Sequence, residues 1–396
     1  MISITKLLGG SANLGENVCH DRGSALPVYG AALGPVVVWC ATKTCNLDCP
    51  RCPSDACRES IPGELTTDEA RALIDDLSSF RVPALLITGG EPLVRPDVPD
   101  LAEHATAKGI RVSVSTNGTL IDRAMAERLA HAGVRDLGIS VEGDEETHDR
   151  FRGRRGAWRE TLRGIRNARE AGISVGLRFT VTGDNVDDLS EVFRLAEDEG
   201  VRRLQIHHLV YSGRGAFLSG IDLGIWEKRA MMDQLFQRVD QWNADGRAIE
   251  VLTFDNHSDG PFAYLWLAEN DPIRAEEAYE LLQQSGGNRS GQAIAAIDSF
   301  GLVHPDPFSE SHPVGNVRER KFSEVWNDSS IPLLRDLRRR RELLHGRCAD
   351  CRWLDVCNGN LRARAEALTG GDMWAPDPAC YLLDEEILKY ATEHIA

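Results

Sequence analysis

The sequence predicts an α/β protein: a partial (β/α)6, TIM-like barrel on a parallel sheet, followed by a small cysteine-bearing domain. Three observations predict it. Short apolar or β-branched runs alternate with amphipathic stretches of about 10–15 residues, the signature of βαβ units, over residues 35–235. Only six such units can be counted, too few for a closed eightfold barrel. The 10 cysteines fall into two groups, Cys19, Cys40, Cys45, Cys49, Cys52 and Cys57 near one end and Cys348, Cys351, Cys357 and Cys380 near the other, with none between.

Taken in order, residues 1–34 are polar and glycine-rich and read as an irregular N-terminal arm. "GPVVVWC" reads as a buried strand, with a cysteine loop directly after it. "TTDEARALIDDLSSF" is an amphipathic helix, with Thr66 or Thr67 as N-cap ahead of an acidic first turn. "ALLIT", "RVSVST", "DLGISV", "SVGLRFTV" and "RLQIHHLV" are the next strands. "DVPDLAEHATAKG", "AMAERLAHAG", "WRETLRGIRNAREAG" and "DLSEVFRLAEDEG" are the helices between them. Residues 236–295 read as a mostly helical bridge with loops at "FDNHSDG" and "SGGNRSG". In 296–396, "AAIDSFGLVHPD" predicts a β-hairpin and "KFSEVWND" a short helix, while "LLRDLRRRREL" is a charged helix entering the second cysteine group.

Composition narrows the function. The chain has 396 residues, 42% hydrophobic and 27% charged, and a formal charge of -16, which argues against non-specific nucleic-acid binding. No apolar run approaches the roughly 18 residues of a membrane span. The start "MISITKLLGGSANLGENV" lacks the basic, then apolar, pattern of a signal peptide, so a cytoplasmic protein is expected. In that compartment ten cysteines are expected to bind metal rather than form a disulfide framework.

"CNLDCPRC" places Cys45, Cys49 and Cys52 at spacings of four and three. Three thiolates can hold three irons of a [4Fe–4S] cluster and leave the fourth iron open for a substrate or cosubstrate. The competing reading is a zinc knuckle that recruits Cys40 or Cys57. Loops at successive strand ends add small polar groups: "TGGEP" with Gly89, Gly90 and Glu91, "STNGT" with Ser115 and Asn117, and "SVEG" with Ser140. Each alone is ordinary turn chemistry. Paired glycines admit a ligand close to the backbone, a carboxylate accepts from an ammonium group, and hydroxyls and amides suit a ribose. "CADCRWLDVC" and the later Cys380 supply four thiolates, a closed site for a cluster or for zinc.

With this cysteine triplet and these loops the chain resembles the radical SAM superfamily. The resemblance implies that the open iron chelates S-adenosylmethionine, whose reductive cleavage gives a 5′-deoxyadenosyl radical. It implies that Gly89, Gly90 and Glu91 hold the methionine amino group, that Ser115, Asn117 and Ser140 hold ribose or methionine, and that Arg178 pairs with the methionine carboxylate. Pro53 stands where an aromatic residue near adenine is common. The C-terminal spacing resembles SPASM and twitch extensions. Leu361 stands where a further cysteine would be expected, so one auxiliary [4Fe–4S] cluster is implied, twitch-like, on Cys348, Cys351, Cys357 and Cys380.

Longer stretches, among them "HHLVYSGRG", "SGGNRSG", "GNVRERKF" and "CRWLDVCNGNLRARAEALTG", look like the tetrapyrrole-modifying twitch enzymes. That branch includes the lactone-forming enzyme of the nitrite-reductase haem pathway and the alternative-haem-pathway enzyme; the second is the nearer likeness and implies removal of acetate side chains from didecarboxysirohaem to give Fe-coproporphyrin III, in haem biosynthesis. It would be served by a one-electron donor such as flavodoxin or ferredoxin. His207, His208, Tyr211, Arg214, His257 and His304 are then the candidates for contact with a tetrapyrrole, through iron ligation or propionate binding. The chain departs from that branch after "HPD", where "PFSESHP" replaces an expected aromatic run and removes flat apolar wall. The rival readings are a radical SAM maturase of a ribosomally made peptide and a non-catalytic zinc or iron–sulfur module. No role follows for Cys19, Cys40 or Cys57.

Overall fold

The computed structural model describes residues 1–9, 33–50, 52, 54–211 and 219–388. Its strands are β1 (Ile2–Ser3), β2 (Val36–Cys40), β3 (Ala84–Thr88), β4 (Arg111–Thr116), β5 (Asp136–Val141), β6 (Ser174–Val181), β7 (Arg203–His208), β8 (Glu250–Phe254), β9 (Ile294–Ile297), β10 (Leu302–His304) and β11 (Gly315–Asn316). They join in one sheet of order β1-β8-β7-β6-β5-β4-β3-β2-β9-β10-β11. From β2 to β8 every neighbouring pair is parallel, with helical crossovers between consecutive strands. Strands β2 to β7 and the helices read between them stand where the alternation places them. The first crossover helix, Thr67–Ser79, is capped by Thr66, which exchanges hydrogen bonds with Glu69 in a capping box.

The parallel strands carry two unlike faces. On one, Trp39, Ile87, Val114, Ile139, Leu177 and Ile206 are fully buried in the core. On the other, registered neighbours are small or polar: Ser115 beside Gly138, Ser140 beside Arg178, Thr180 beside His207. At the start of the strands this second face is closed by Arg203, which reaches Asp136 and Glu250, each at 3.0 Å. The charges plug the N-terminal end, and the open end lies at the strands' C-termini, where such barrels keep their sites.

Three features depart from the sequence reading. The first nine residues are not an irregular arm: β1 pairs antiparallel with β8, and a helix, Ile4–Gly9, follows. Thr5 Oγ1 accepts from Val251 N–H at 2.8 Å, and Arg274 Nε donates to the Leu7 carbonyl at 2.6 Å. A two-residue strand and a six-residue helix carry no usable periodicity; tertiary contacts hold them. Second, β8 is a seventh parallel strand inside the bridge read as mostly helical. Its "EVLTF" is buried along nearly its whole length, so the alternation that marks a strand is missing. Third, the hairpin β9–β10 continues the barrel sheet, because β9 lies parallel against β2.

Candidate active site

The cysteine loop leaves the C-terminal end of β2. Cys45 is 7% exposed and packs with Leu47, Ala56 and Ala157, with Cys49 and Cys52 against the same cluster. Leu47 N–H donates to Cys45 Sγ, and Ala56 N–H to Cys52 Sγ, both at 3.4 Å. Such contacts stabilise sulfur that carries negative charge. Burial pushes the Cys45 thiol up to about 11 and raises that of Cys49, so a metal's positive charge is needed to ionise them. Cys40 is pushed by burial up to about 12. Cys57 serves the loop through its backbone: its carbonyl accepts from Cys45 N–H at 2.7 Å. Cys19 and Pro53 lie outside the described residues.

The strand-end motifs converge on this loop. A Cβ on Gly89 would stand 2.4 Å from the Thr42 carbonyl oxygen, and one on Gly90 2.5 Å from that of Thr44, so glycine is required at both. Glu91 is fully buried. Its oxygens accept from Asn117 N–H and Thr116 Oγ1, each at 2.7 Å, and from Leu93 N–H at 3.1 Å. Its carboxylate thus locks the "GGEP" turn to the end of β4. Asn117 continues the lock by donating to Asn46 Oδ1 at 2.9 Å, inside the cysteine loop. Arg178 runs from β6 across Gly138 of β5 to donate to Ser115 Oγ on β4. A Cβ on Gly138 would stand 2.8 Å from Arg178 Cδ, so the missing side chain makes that reach possible. Ser140 is half-buried in register with Arg178.

The candidate substrate residues divide. His207 lies on the polar face, stacked on Phe254, with Nδ1 2.8 Å from Asp255 Oδ2 and Nε2 buried without a partner. Burial lowers its pKa, so it is neutral, and Asp255 favours the tautomer protonated at Nδ1. Asp255 takes the left-handed region (φ +67°), where a residue other than glycine marks imposed strain. His208 belongs to the opposite face: its Nε2 is 3.0 Å from Asp259, which also accepts from Tyr381 OH at 2.7 Å. Tyr211 donates to Asp222, which also pairs with Lys228. His257 is buried, its backbone N–H bound to Asn360 Oδ1 at 2.7 Å. His304 sits in the hairpin, with Nδ1 3.1 Å from the Ser309 carbonyl. Arg214 lies outside the described residues. The departing segment 307–313 is tied to the cysteine loop, with Glu310 3.3 Å from Lys43.

Of the C-terminal cysteines, Cys351, Cys357 and Cys380 pack against the main core. Cys348, Cys351 and Cys380 all act electrostatically on Cys357, whose thiol burial raises well above its ordinary value; Cys380 is pushed by burial up to about 11. Gly287 of "SGGNRSG" abuts Cys357, where a Cβ would stand 2.3 Å from the cysteine carbonyl. Leu361, in place of a further thiol, is buried, and its N–H bonds Asp377. Among the described residues no three His, Cys, Asp or Glu side chains converge on one ion. Three thiols that act by charge on a fourth make a four-thiol set, which a cluster or a zinc ion could take as its closed ligand shell. The group is joined to the barrel by Arg364. This residue pairs with Asp377 at 2.8 Å and donates to the carbonyls of Leu209, at 3.0 Å, and Asp255, at 2.9 Å, at the ends of β7 and β8.

Residues 39–196 match the model of the Radical SAM superfamily, and residues 289–352 match SPASM, an iron–sulfur cluster-binding domain. The chain is 46% identical to an Fe-coproporphyrin III synthase of Methanosarcina barkeri, over 98% of this chain and 100% of that one. It belongs to the radical SAM superfamily. A pre-heme d1 synthase of Dinoroseobacter shibae is 43% identical, over 89% of this chain and 87% of that one. In fold, Streptococcus suis SuiB bound to S-adenosylmethionine superposes with a TM-score of 0.69, at 17% identity, covering 89% of this chain and 78% of that one. The protein is a radical SAM enzyme with S-adenosylmethionine and [4Fe–4S] clusters as cofactors. No helix among the described residues is long and apolar enough to cross a membrane.

Two residues beside the cysteine loop escaped the sequence reading. Glu142, two residues after Ser140, is buried and pushed by that burial up to about 7 despite its partner Arg152. Arg152 ends a helix, Glu145–Arg152, that no apolar periodicity announces. Asp144 followed by two acidic residues and, after the last turn, Gly153 was its available signal.

Proposed function

We propose that this radical SAM enzyme acts on a sirohaem-derived tetrapyrrole, removing the acetate side chains of didecarboxysirohaem to give Fe-coproporphyrin III. The observation that carries the reading is 46% identity, end to end, with an Fe-coproporphyrin III synthase. In this reading Cys45, Cys49 and Cys52 hold the cluster that binds S-adenosylmethionine, and Cys348, Cys351, Cys357 and Cys380 hold the auxiliary one. When bound and reduced, the first cluster with its cosubstrate supplies the deoxyadenosyl radical. Gly89 and Gly90 open space for the methionine end, Ser140 and Arg178 face the cosubstrate, and Glu91 and Asn117 keep their loops in place. His207, oriented by Asp255, presents a neutral nitrogen toward the macrocycle. His257 and His304 contribute from the side of the auxiliary domain. A small one-electron donor of the flavodoxin or ferredoxin kind completes the system.

The test is an anaerobic titration of the reconstituted enzyme with didecarboxysirohaem, followed by reduction with S-adenosylmethionine and mass analysis. An absorption shift on binding and the appearance of Fe-coproporphyrin III are expected. Intact S-adenosylmethionine cleavage with neither result would overturn the tetrapyrrole reading and point to a peptide substrate.

A further inference from the structure

The first cysteine loop has a cationic neighbour. Arg152 ends its helix, and Gly153 follows in the left-handed region (φ +63°). A Cβ on Gly153 would stand 2.5 Å from the Asp48 carbonyl oxygen, so the helix end is pressed onto the backbone between Cys45 and Cys49. From there the guanidinium acts on the Cys49 thiol, and Cys45 lies within reach of its charge. Nη2 donates to Glu142 Oε1 at 2.7 Å, and Nε is buried with no partner. The two side chains are only 14% and 10% exposed, so water screens this charge little. A buried arginine with one carboxylate partner and a spare N–H, aimed at a thiol set, is costly unless sulfur ligands bearing negative charge complete its surroundings.

We infer that Arg152 is an outer-sphere donor to the cluster held by Cys45, Cys49 and Cys52, and that it sets that cluster's reduction potential, with Glu142 positioning the guanidinium. The inference rests on those three cysteines being the cluster ligands. Reduction adds one electron to the cluster. A hydrogen bond to a ligand sulfur and a nearby positive charge stabilise the reduced form more than the oxidised form and raise the potential. Glu142 acts in the opposite sense through its charge, while its oxygen holds the guanidinium against Cys49. Arg152 is thus a positioning and tuning residue rather than a catalytic one.

The experiment is an EPR-monitored redox titration of the fully reconstituted protein, with and without S-adenosylmethionine. The signal that responds to the cosubstrate reports the first cluster. Arg152→Met is expected to move its midpoint to more negative potential. Arg152→Lys, which keeps the charge, should recover part of the shift. Glu142→Gln, which removes the opposing charge but keeps an acceptor oxygen, should move it the other way. The auxiliary cluster's midpoint should stay where it is. An unchanged first-cluster midpoint in Arg152→Met overturns the inference, and so does an unchanged midpoint accompanied by weakened cosubstrate binding, which would make Arg152 a ligand of S-adenosylmethionine. If Arg152→Met fails to retain iron, the Arg152→Lys and Glu142→Gln midpoints decide, and two unshifted values overturn it. Failure of the ligand assignment looks different: the responsive signal would persist in a Cys45→Ala, Cys49→Ala, Cys52→Ala variant.

Discussion

The two cysteine groups solve opposite problems with the same side chain. The N-terminal three sit on a loop at a barrel strand's end, supported by backbone N–H groups and faced by Arg152. Of the C-terminal four, Cys348 and Cys357 end short helical turns, Cys351 is bridged to Leu388, and Gly287 abuts the Cys357 carbonyl; Cys351, Cys357 and Cys380 pack against the core. Three thiols on a loop would leave a coordination position of a four-iron cluster open. Four thiols at one site would close it, and three of them pack against the core as partly buried side chains. On this reading the number of thiols, rather than cysteine itself, would separate a reactive centre from a supporting one.

The sharpest break of that comparison is to remove the open site alone. A Cys45→Ala, Cys49→Ala, Cys52→Ala variant should lose all 5′-deoxyadenosine formation yet keep about four irons per chain, the content of one [4Fe–4S] cluster. Residual 5′-deoxyadenosine by liquid chromatography would show that the reactive centre lies elsewhere. The reciprocal change, Cys348→Ala with Cys351→Ala, should also remove about four irons. Some uncoupled cosubstrate cleavage should survive, because the first cluster is separately held, while product formation falls much further. Stoichiometric zinc in anaerobically purified wild-type protein, with one cluster's worth of iron, would instead make the closed site a structural zinc cap.

A smaller effect tests how the closed site is fastened to the barrel. Arg364 and Asp377 are both completely buried, and removing one partner leaves an uncompensated charge. Arg364→Met should therefore cost about 3–5 kcal/mol and lower the urea midpoint. A midpoint equal to wild type would mean that the hairpin β9–β10, continuing the barrel sheet, holds the domain without this anchor.

The smallest effect is expected at the outer edge, where Glu69 of the first barrel helix meets Arg318 of the C-terminal part at 2.7 Å. That pairing draws the Glu69 carboxyl down to about 2 from 4.5. A carboxyl lowered on folding stabilises the protein above its unfolded value, and the contribution is lost as pH falls from about 4.5 towards 2. Both side chains are about one-third exposed, so screening holds the contribution below about 1 kcal/mol. Glu69→Gln should flatten acid unfolding slightly in that window and change nothing at neutral pH beyond the lost pair. A steeper acid transition in the variant would contradict the assignment.

Local sequence determined much of this protein. The βα alternation arises from side-chain periods of 2 and 3.6 that local windows display, so β2 to β7 and most crossover helices were readable while β8 was not. The spacings of Cys45, Cys49 and Cys52, and of Cys348, Cys351 and Cys357, are local too, because metal ligands close in sequence need little help from the rest of the chain. Tertiary structure decided what depends on which face a strand turns inward. His207 and His208 are adjacent in sequence, but one lies on the polar face with Asp255 and the other is buried among Asp259 and Tyr381. Gly138 gained meaning only when β6 brought Arg178 over it toward Ser115. Glu91, readable as a ligand of an ammonium group, proved to be bound by three donors of the protein itself. β1 and β8 needed each other across some 250 residues of chain, and Arg152 needed a loop about a hundred residues away. Such partners leave no periodic trace, because the contact energy lies between segments and no single segment encodes it.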